Sequence, residues 1–156
     1  MDESARRGLA AFNQEMKRLD DVYRNAAKSC GMAECAFWIL YTLRVEERAF
    51  TQAALCEFLV EPKQTINSAL KKLEAEGYLA LRAGADQRSK LVCLTGKGEQ
   101  LARSCVDRIP EAEAAALAAM TPDERGALIR LTGRFRTLLE QQLKKGELPP
   151  EQAAQK

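Results

Sequence analysis

The sequence predicts a mostly α-helical fold with one small antiparallel β-hairpin, organised as a single domain over residues 1–156. Three observations carry that expectation. Apolar residues recur three and four apart near both ends of the chain, the period of a helix with one apolar face. Two short strand-like runs, residues 78–82 and 90–94, flank a polar loop that contains Gly84. Helix-start signals stand at Thr51, Pro62, Thr95 and Thr121.

In chain order, residues 5–28 place Leu9, Phe12, Met16, Leu19, Tyr23 and Ala26 in one narrow seam, and Ser29-Cys30-Gly31 supplies a stop. Residues 33–46 are apolar almost all round, so this second helix is central. Thr51 caps a third helix over 52–59, with Ala54, Leu55, Phe58 and Leu59 facing inward. After a short turn at Val60-Glu61, Pro62 opens a fourth helix that runs to about Glu76 and stops at Gly77. The hairpin follows. Thr95 then caps a fifth helix that Pro110, lacking an amide donor, must kink or interrupt. An Ala/Glu-rich stretch leads to Thr121-Pro122-Asp123-Glu124, a capping box with proline at the first helical position. The last helix carries Leu128, Leu131, Phe135, Leu138 and Leu139 on one side, and residues 146–156 read as a polar tail.

Composition narrows the function. The chain has no histidine, which removes Ser-His-Asp and Cys-His nucleophile systems and imidazole metal ligands. Its five cysteines, Cys30, Cys35, Cys56, Cys93 and Cys105, contain no C-x-x-C pair, against both a Cys-only zinc site and a secreted disulfide framework. No enzyme activity, metal or cofactor is expected. The longest apolar run, residues 36–41, is far too short to cross a bilayer, and the acidic N-terminus leads into no signal-peptide core. A cytoplasmic protein without membrane contact is the expectation. Net charge is only +2, so any nucleic-acid surface must come from placement of charge.

Placement supplies one. Residues 50–94 order a short helix, a tight turn, a second helix and a hairpin, the arrangement of a helix-turn-helix with a wing. In the second of those helices Ile66, Ala69, Leu70 and Leu73 form a buried face, leaving Lys63, Gln64, Asn67, Ser68 and Lys71 opposite. No acidic residue occurs from Pro62 until Glu74, so phosphates meet no repulsion there. The amides of Gln64 and Asn67 match an adenine edge in the major groove, and lysines and hydroxyls suit phosphate oxygens. A plain solvated helix face is the competing assignment, weakened by the hairpin placed directly after. At the hairpin tip, Arg88 suits a narrow, electronegative minor groove with Asp86 beside it to hold it; an ordinary exposed turn is the alternative.

Five segments make a resemblance specific: Thr51-Gln52-Ala53-Ala54-Leu55, Lys63-Gln64-Thr65-Ile66-Asn67-Ser68, Lys72-Leu73-Glu74-Ala75-Glu76-Gly77-Tyr78, Asp86-Gln87-Arg88-Ser89-Lys90 and Leu94-Thr95-Gly96-Lys97-Gly98. Together they resemble the MarR family of bacterial transcription regulators, over roughly residues 5–145. The resemblance implies a two-fold dimer, with helices of 5–29 and 95–145 intertwined and two winged portions on successive major grooves of a pseudo-palindrome. It implies DNA-binding roles for Thr51, Gln52, Pro62, Lys63, Gln64, Thr65, Asn67, Ser68, Lys71, Arg88 and Lys90, with Asp86 as wing support. One departure is that Val60-Glu61-Pro62 lacks the glycine often found in this turn, and Glu61 brings a negative charge towards DNA.

The residues point to the same assembly independently. Apolar seams from opposite chain ends exceed what a small winged domain buries, and a second copy buries them most simply. Two half-sites about 10 base pairs apart also give affinity that one short helix lacks. Family members often bind a small aromatic effector, and Tyr23, Phe37, Trp38 and Tyr41 are candidates to line such a pocket, with core packing as the competing assignment. Cys30 and Cys35 flank the junction of the first two helices and are candidate redox residues, though few nearby positive charges exist to lower a thiol pKa. A transcription regulator, a repressor if the dimer covers promoter elements, is the resulting expectation. Two alternatives stay open: a winged-helix module that binds protein, and a thiol-based redox protein.

Overall fold

The computed structural model describes residues 3–46, 48–84 and 90–146. These fall into two compact units, Met1–Ala112 and Glu113–Lys156. The chain order is α1 (Glu3–Ser29), α2 (Glu34–Val45), β1 (Phe50–Thr51), α3 (Gln52–Leu59), α4 (Lys63–Ala75), β2 (Leu79–Ala83), β3 (Lys90–Leu94), α5 (Gly96–Cys105), α6 (Arg108–Ala119) and α7 (Pro122–Gly146). The fold is thus mostly helical with a small antiparallel sheet. No described helix is long and apolar enough to cross a membrane.

The core of the first unit is built around α2, whose Phe37, Ile39 and Leu40 are fully buried. Phe50, Leu55, Ile66, Leu70, Leu73, Leu79, Val92 and Val106 close over it from β1, α3, α4, the hairpin and the end of α5. All-round apolarity in α2 is explained by that central place. The sheet has the order β1-β3-β2, all antiparallel, with Phe50 opposite Val92 and Leu79 opposite Leu94. The hairpin matches expectation; β1 does not appear in it. Two residues, the second of them the α3 cap itself, leave no alternating pattern to read, and their strand character comes from pairing with β3.

Caps set the element ends. The Thr51 hydroxyl accepts from the Ala54 amide at 3.1 Å and starts α3. Gly77, at φ +77°, ends α4: the Tyr78 amide reaches back to the Leu73 carbonyl and the Gly77 amide to that of Glu74, both at 2.9 Å. That is a Schellman closure, and its left-handed residue is best supplied by glycine. Thr95 caps α5 through the Gly98 amide and binds the Gly77 carbonyl at 2.7 Å, tying α5 to the α4–β2 turn. Gly98 is required for that approach, because a Cβ there would stand 2.0 Å from the Tyr78 carbonyl oxygen.

The expected disturbance near Pro110 is a full break placed earlier. Helix α5 ends at Cys105, and Pro110 sits in the first turn of α6, where a missing amide costs nothing. The Val106 carbonyl that Pro110 would leave unpaired accepts from Ile109 instead, at 2.8 Å. Arg44 of α2 secures this junction, donating to both Asp107 carboxylate oxygens (2.8 and 2.6 Å) and to Glu99 (3.0 Å). Its bonds hold the Asp107 carboxyl below the ordinary carboxylate range.

In the second unit, α7 opens with the expected capping box. The Thr121 amide donates to the Glu124 carboxylate at 2.8 Å, and the Glu124 amide donates to the Thr121 hydroxyl at 3.3 Å. Those bonds lower the Glu124 pKa. Along α7, Leu128, Leu131, Phe135, Leu138 and Leu139 are exposed; so, along α1, are Leu9, Phe12, Met16 and Leu19.

Candidate nucleic-acid interface

Helix α4 is positioned by three buried side chains, Ile66, Leu70 and Leu73, at the spacing of one helical face. That anchoring turns Lys63, Gln64, Thr65, Ser68 and Lys71 outward, all exposed. Asn67 is half-buried and shares a cavity of about 130 Å³ with Gln52, Lys71, Glu74 and Leu81. Pro62 precedes the helix rather than opening it, and its carbonyl accepts from Ile66 at 3.2 Å. The first turn of α4 is free of acidic residues, so its amides and dipole present a favourable end to an anion.

The turn between α3 and α4 is made by Val60 in the left-handed conformation, φ 55° and ψ 37°. Its amide closes back on α3, and the Glu61 amide donates to the Cys56 carbonyl at 3.1 Å. A β-branched residue is the least suited to this conformation, so the glycine missing from the sequence is missing from the position that favours one. Glu61 is exposed beside Pro62 and Lys63.

The wing consists of β2 and β3, paired out to Ala83 and Lys90. Lys90 is exposed at the base of the tip. Arg88 and Asp86 lie outside the described residues, as do residues 147–156 of the expected tail. Arg82 and Arg48 add exposed positive charge around the wing that sequence reasoning missed. Arg82 of β2 stands opposite Leu91, near Lys90, and was absorbed into a strand-like run. Arg48 stacks 4.5 Å from the Phe50 ring centroid and 5.3 Å from that of Phe58, holding its charge at the entry to β1. An arginine followed two residues later by a buried aromatic was its only signal.

The four aromatic residues proposed as pocket lining are brought together. Trp38 lies 5.0 Å from Tyr23, 5.4 Å from Phe37 and 5.3 Å from Tyr41, ring centre to ring centre. They pack on one another, and Phe37 is fully buried. A cavity of about 170 Å³ lies elsewhere, lined by Cys30, Met32 and Ala36 together with Ala69, Lys72 and Leu73 of α4. The two candidate redox cysteines face different partners. Cys30 donates to the Cys105 carbonyl at 3.4 Å. Cys35 lies near Cys56 and Glu61, and burial, then Glu61, raises its pKa.

Residues 32–89, which span the end of the α1–α2 turn through most of the hairpin, match the MarR family. A curated relative, the uncharacterized HTH-type transcriptional regulator YwoH of Bacillus subtilis strain 168, is 26% identical over 130 residues, covering 83% of this chain and 92% of its own. Among solved structures, a MarR family regulator from Neisseria meningitidis superposes with a TM-score of 0.76 at 21% identity, over 90% of this chain and 99% of that one. Bordetella bronchiseptica BpsR, whose DNA binding is regulated by 6-hydroxynicotinic acid, superposes at 0.61 and 20% identity, over 81% of this chain and 91% of that one. At such identities the structural likeness establishes the fold alone.

Proposed function

Because the chain belongs to the MarR family of winged helix-turn-helix transcription regulators, which bind DNA and are not enzymes, we propose that it acts in the cytoplasm as a homodimeric repressor of a pseudo-palindromic site. Each protomer lays α4 in a major groove. Gln64 and Asn67 read base edges there, while Lys63, Thr65, Ser68 and Lys71 meet phosphates. Thr51 and Gln52 at the start of α3, with Pro62 before α4, approach the backbone beside the groove. Lys90 and Arg88, the latter supported by Asp86, carry the wing to the adjacent minor groove. A small aromatic molecule or an oxidant releases the complex, with Tyr23, Phe37, Trp38 and Tyr41 as the aromatic candidate site and Cys30 and Cys35 as the thiol candidates. Occupying the aromatic site requires those rings to part.

The observation that carries this reading is the division of α4. One face is locked into the core by Ile66, Leu70 and Leu73, and the other carries exposed Gln64, half-buried Asn67, hydroxyls and lysines with no carboxylate before Glu74. A helix built to bind protein has no need of so uniform a sign. Selection of bound fragments from random duplex DNA tests the proposal, followed by mobility shifts across a salt series. A two-fold site is expected, with log affinity falling by about 0.9 per phosphate neutralised for each unit of log salt. Protein that retards no duplex, or retards it without salt dependence, removes the reading.

A further inference from the structure

We propose that Cys30 and Cys105 are a dithiol pair that closes to an intrachain disulfide under a low-molecular-weight disulfide oxidant, and that this bond regulates DNA binding. The regulatory half rests on the DNA-binding reading above; the bond itself does not. Cys30 follows α1 directly and Cys105 is the last residue of α5, 75 positions away. Local sequence gives no hint of the pairing. The fold brings the Cys30 Sγ to 3.4 Å from the Cys105 carbonyl oxygen and places its thiol in hydrogen-bonding reach of the Cys105 side chain. Both cysteines are free and only half-buried, so a small oxidant reaches them.

The surroundings hold the two helix ends together without the bond. Arg108 of α6 donates to the Ser29 hydroxyl, and the Ser104 hydroxyl lies 3.7 Å from the Cys105 sulfur. Closing the disulfide needs the two sulfurs at about 2.05 Å, and the Cys30 sulfur already stands 3.4 Å from the Cys105 backbone. The chemistry balances as two exchanges. One protein thiolate attacks the oxidant's sulfur–sulfur bond and expels one small thiol, and the second protein thiolate then displaces the other. The protein loses two protons and two electrons, and the oxidant leaves as two thiols. Burial and the bond to Cys105 push the Cys30 thiol up, while Arg108 pulls it down. A thiol so placed suits slow closure under sustained oxidant better than capture of trace peroxide.

The site has a route to the reading helix. Cys30 also lines the 170 Å³ cavity whose far wall is Ala69, Lys72 and Leu73 of α4. These residues belong to the helix side opposite the exposed amides, so cross-linking α1 to α5 bears on the support of α4. Cys35 takes no part.

Full-length protein is incubated with excess oxidised glutathione, alkylated, digested without reductant and analysed by mass spectrometry. The expected product is a linked Cys30–Cys105 peptide from a protein that still runs as a single chain and is restored by dithiothreitol. Cys30→Ser and Cys105→Ser should each abolish it, and Cys35→Ser should not; alanine at either position guards against a serine variant that misfolds. Glutathione adducts alone, a Cys35–Cys56 link, or links between chains would overturn the pairing. Oxidation should weaken duplex binding about tenfold or more in the wild type and leave Cys105→Ser unchanged. Disulfide formation with unaltered affinity would overturn the regulatory half. Reduced protein that binds no duplex would remove the DNA-binding reading and that regulatory half with it, while the cross-link would stand on the mass spectrum.

Discussion

At the scale of single residues, Val60 and Gly98 test opposite demands of backbone geometry. Val60 holds the left-handed conformation at 89% exposure, so its side chain gains little packing in return for the strain. Val60→Gly should stabilise the fold by about 1 kcal/mol, the steric penalty being partly offset by glycine's greater unfolded-state entropy. Urea unfolding reads the change, and a loss of stability would mean Val60 makes a contact its exposure hides. Gly98 is the reverse case. Its Cβ position lies 2.0 Å from a backbone oxygen, which cannot rotate away. Gly98→Ala should cost at least about 3 kcal/mol, because α5 must lift from the α4–β2 turn that Thr95 ties down. On the proposed DNA face, Asn67→Ala should relax base preference by about 1–3 kcal/mol at one position, measured against a panel of substituted sites. Uniform loss at every substituted site would instead make Asn67 a phosphate or packing residue.

Between elements, the Arg44 junction gives a prediction with a definite sign. Asp107 is held below its ordinary value of 3.8, first by the hydrogen bond from Arg44. A depressed carboxylate contributes stability that is fully present above its unfolded pKa and lost as pH falls through the folded one. Stability from this pair should therefore be flat from pH 7 to about 5 and decline below about pH 4. Asp107→Asn should cost about 1–2 kcal/mol at pH 7, and the variant and wild-type curves should draw together as pH falls through the lowered pKa of folded Asp107. Parallel curves across that range would show that Arg44 finds equal support in Glu99 alone. The same junction marks the limit of what the linear sequence discloses. Caps at Thr51, Thr95 and Thr121, the Gly77 stop and the buried face of α4 were legible, because each is settled by residues within one or two turns. Strand β1, the break before Pro110, and the contacts Arg44–Asp107 and Cys30–Cys105 were not. All depend on partners that folding brings from far along the chain, and a sequence window holds only one side of each. The candidate DNA face divides likewise: Lys63 to Lys71 follow from helix period, whereas Arg82 and Arg48 stand out only once the strands are paired.

For the molecule as a whole, the proposed reading makes assembly the property on which operator affinity turns. Helix α1 exposes Leu9, Met16 and Leu19, and α7 exposes Leu128, Leu131, Leu138 and Leu139, each series at helical spacing. An exposed apolar stripe along a helix is uncommon on proteins that act alone and points to a partner surface. A second copy is the simplest one, since a two-fold contact lets each seam serve both protomers. Leu131 and Leu138 are 56% and 45% exposed in the single chain, so glutamate at both costs the isolated fold little. In a dimer interface it places four carboxylates in apolar surroundings. Leu131→Glu/Leu138→Glu should therefore be monomeric by light scattering while keeping its helical circular dichroism. Its affinity for a two-fold site should fall by about 100-fold or more, because the second α4 no longer binds at the high effective concentration set by the first. Binding to an isolated half-site should be nearly unchanged, since Lys63, Gln64, Asn67 and Lys71 are untouched. A double variant that stays dimeric would assign the apolar seam of α7 to some other partner, and one that is monomeric yet binds the two-fold site at full strength would sever reading from assembly.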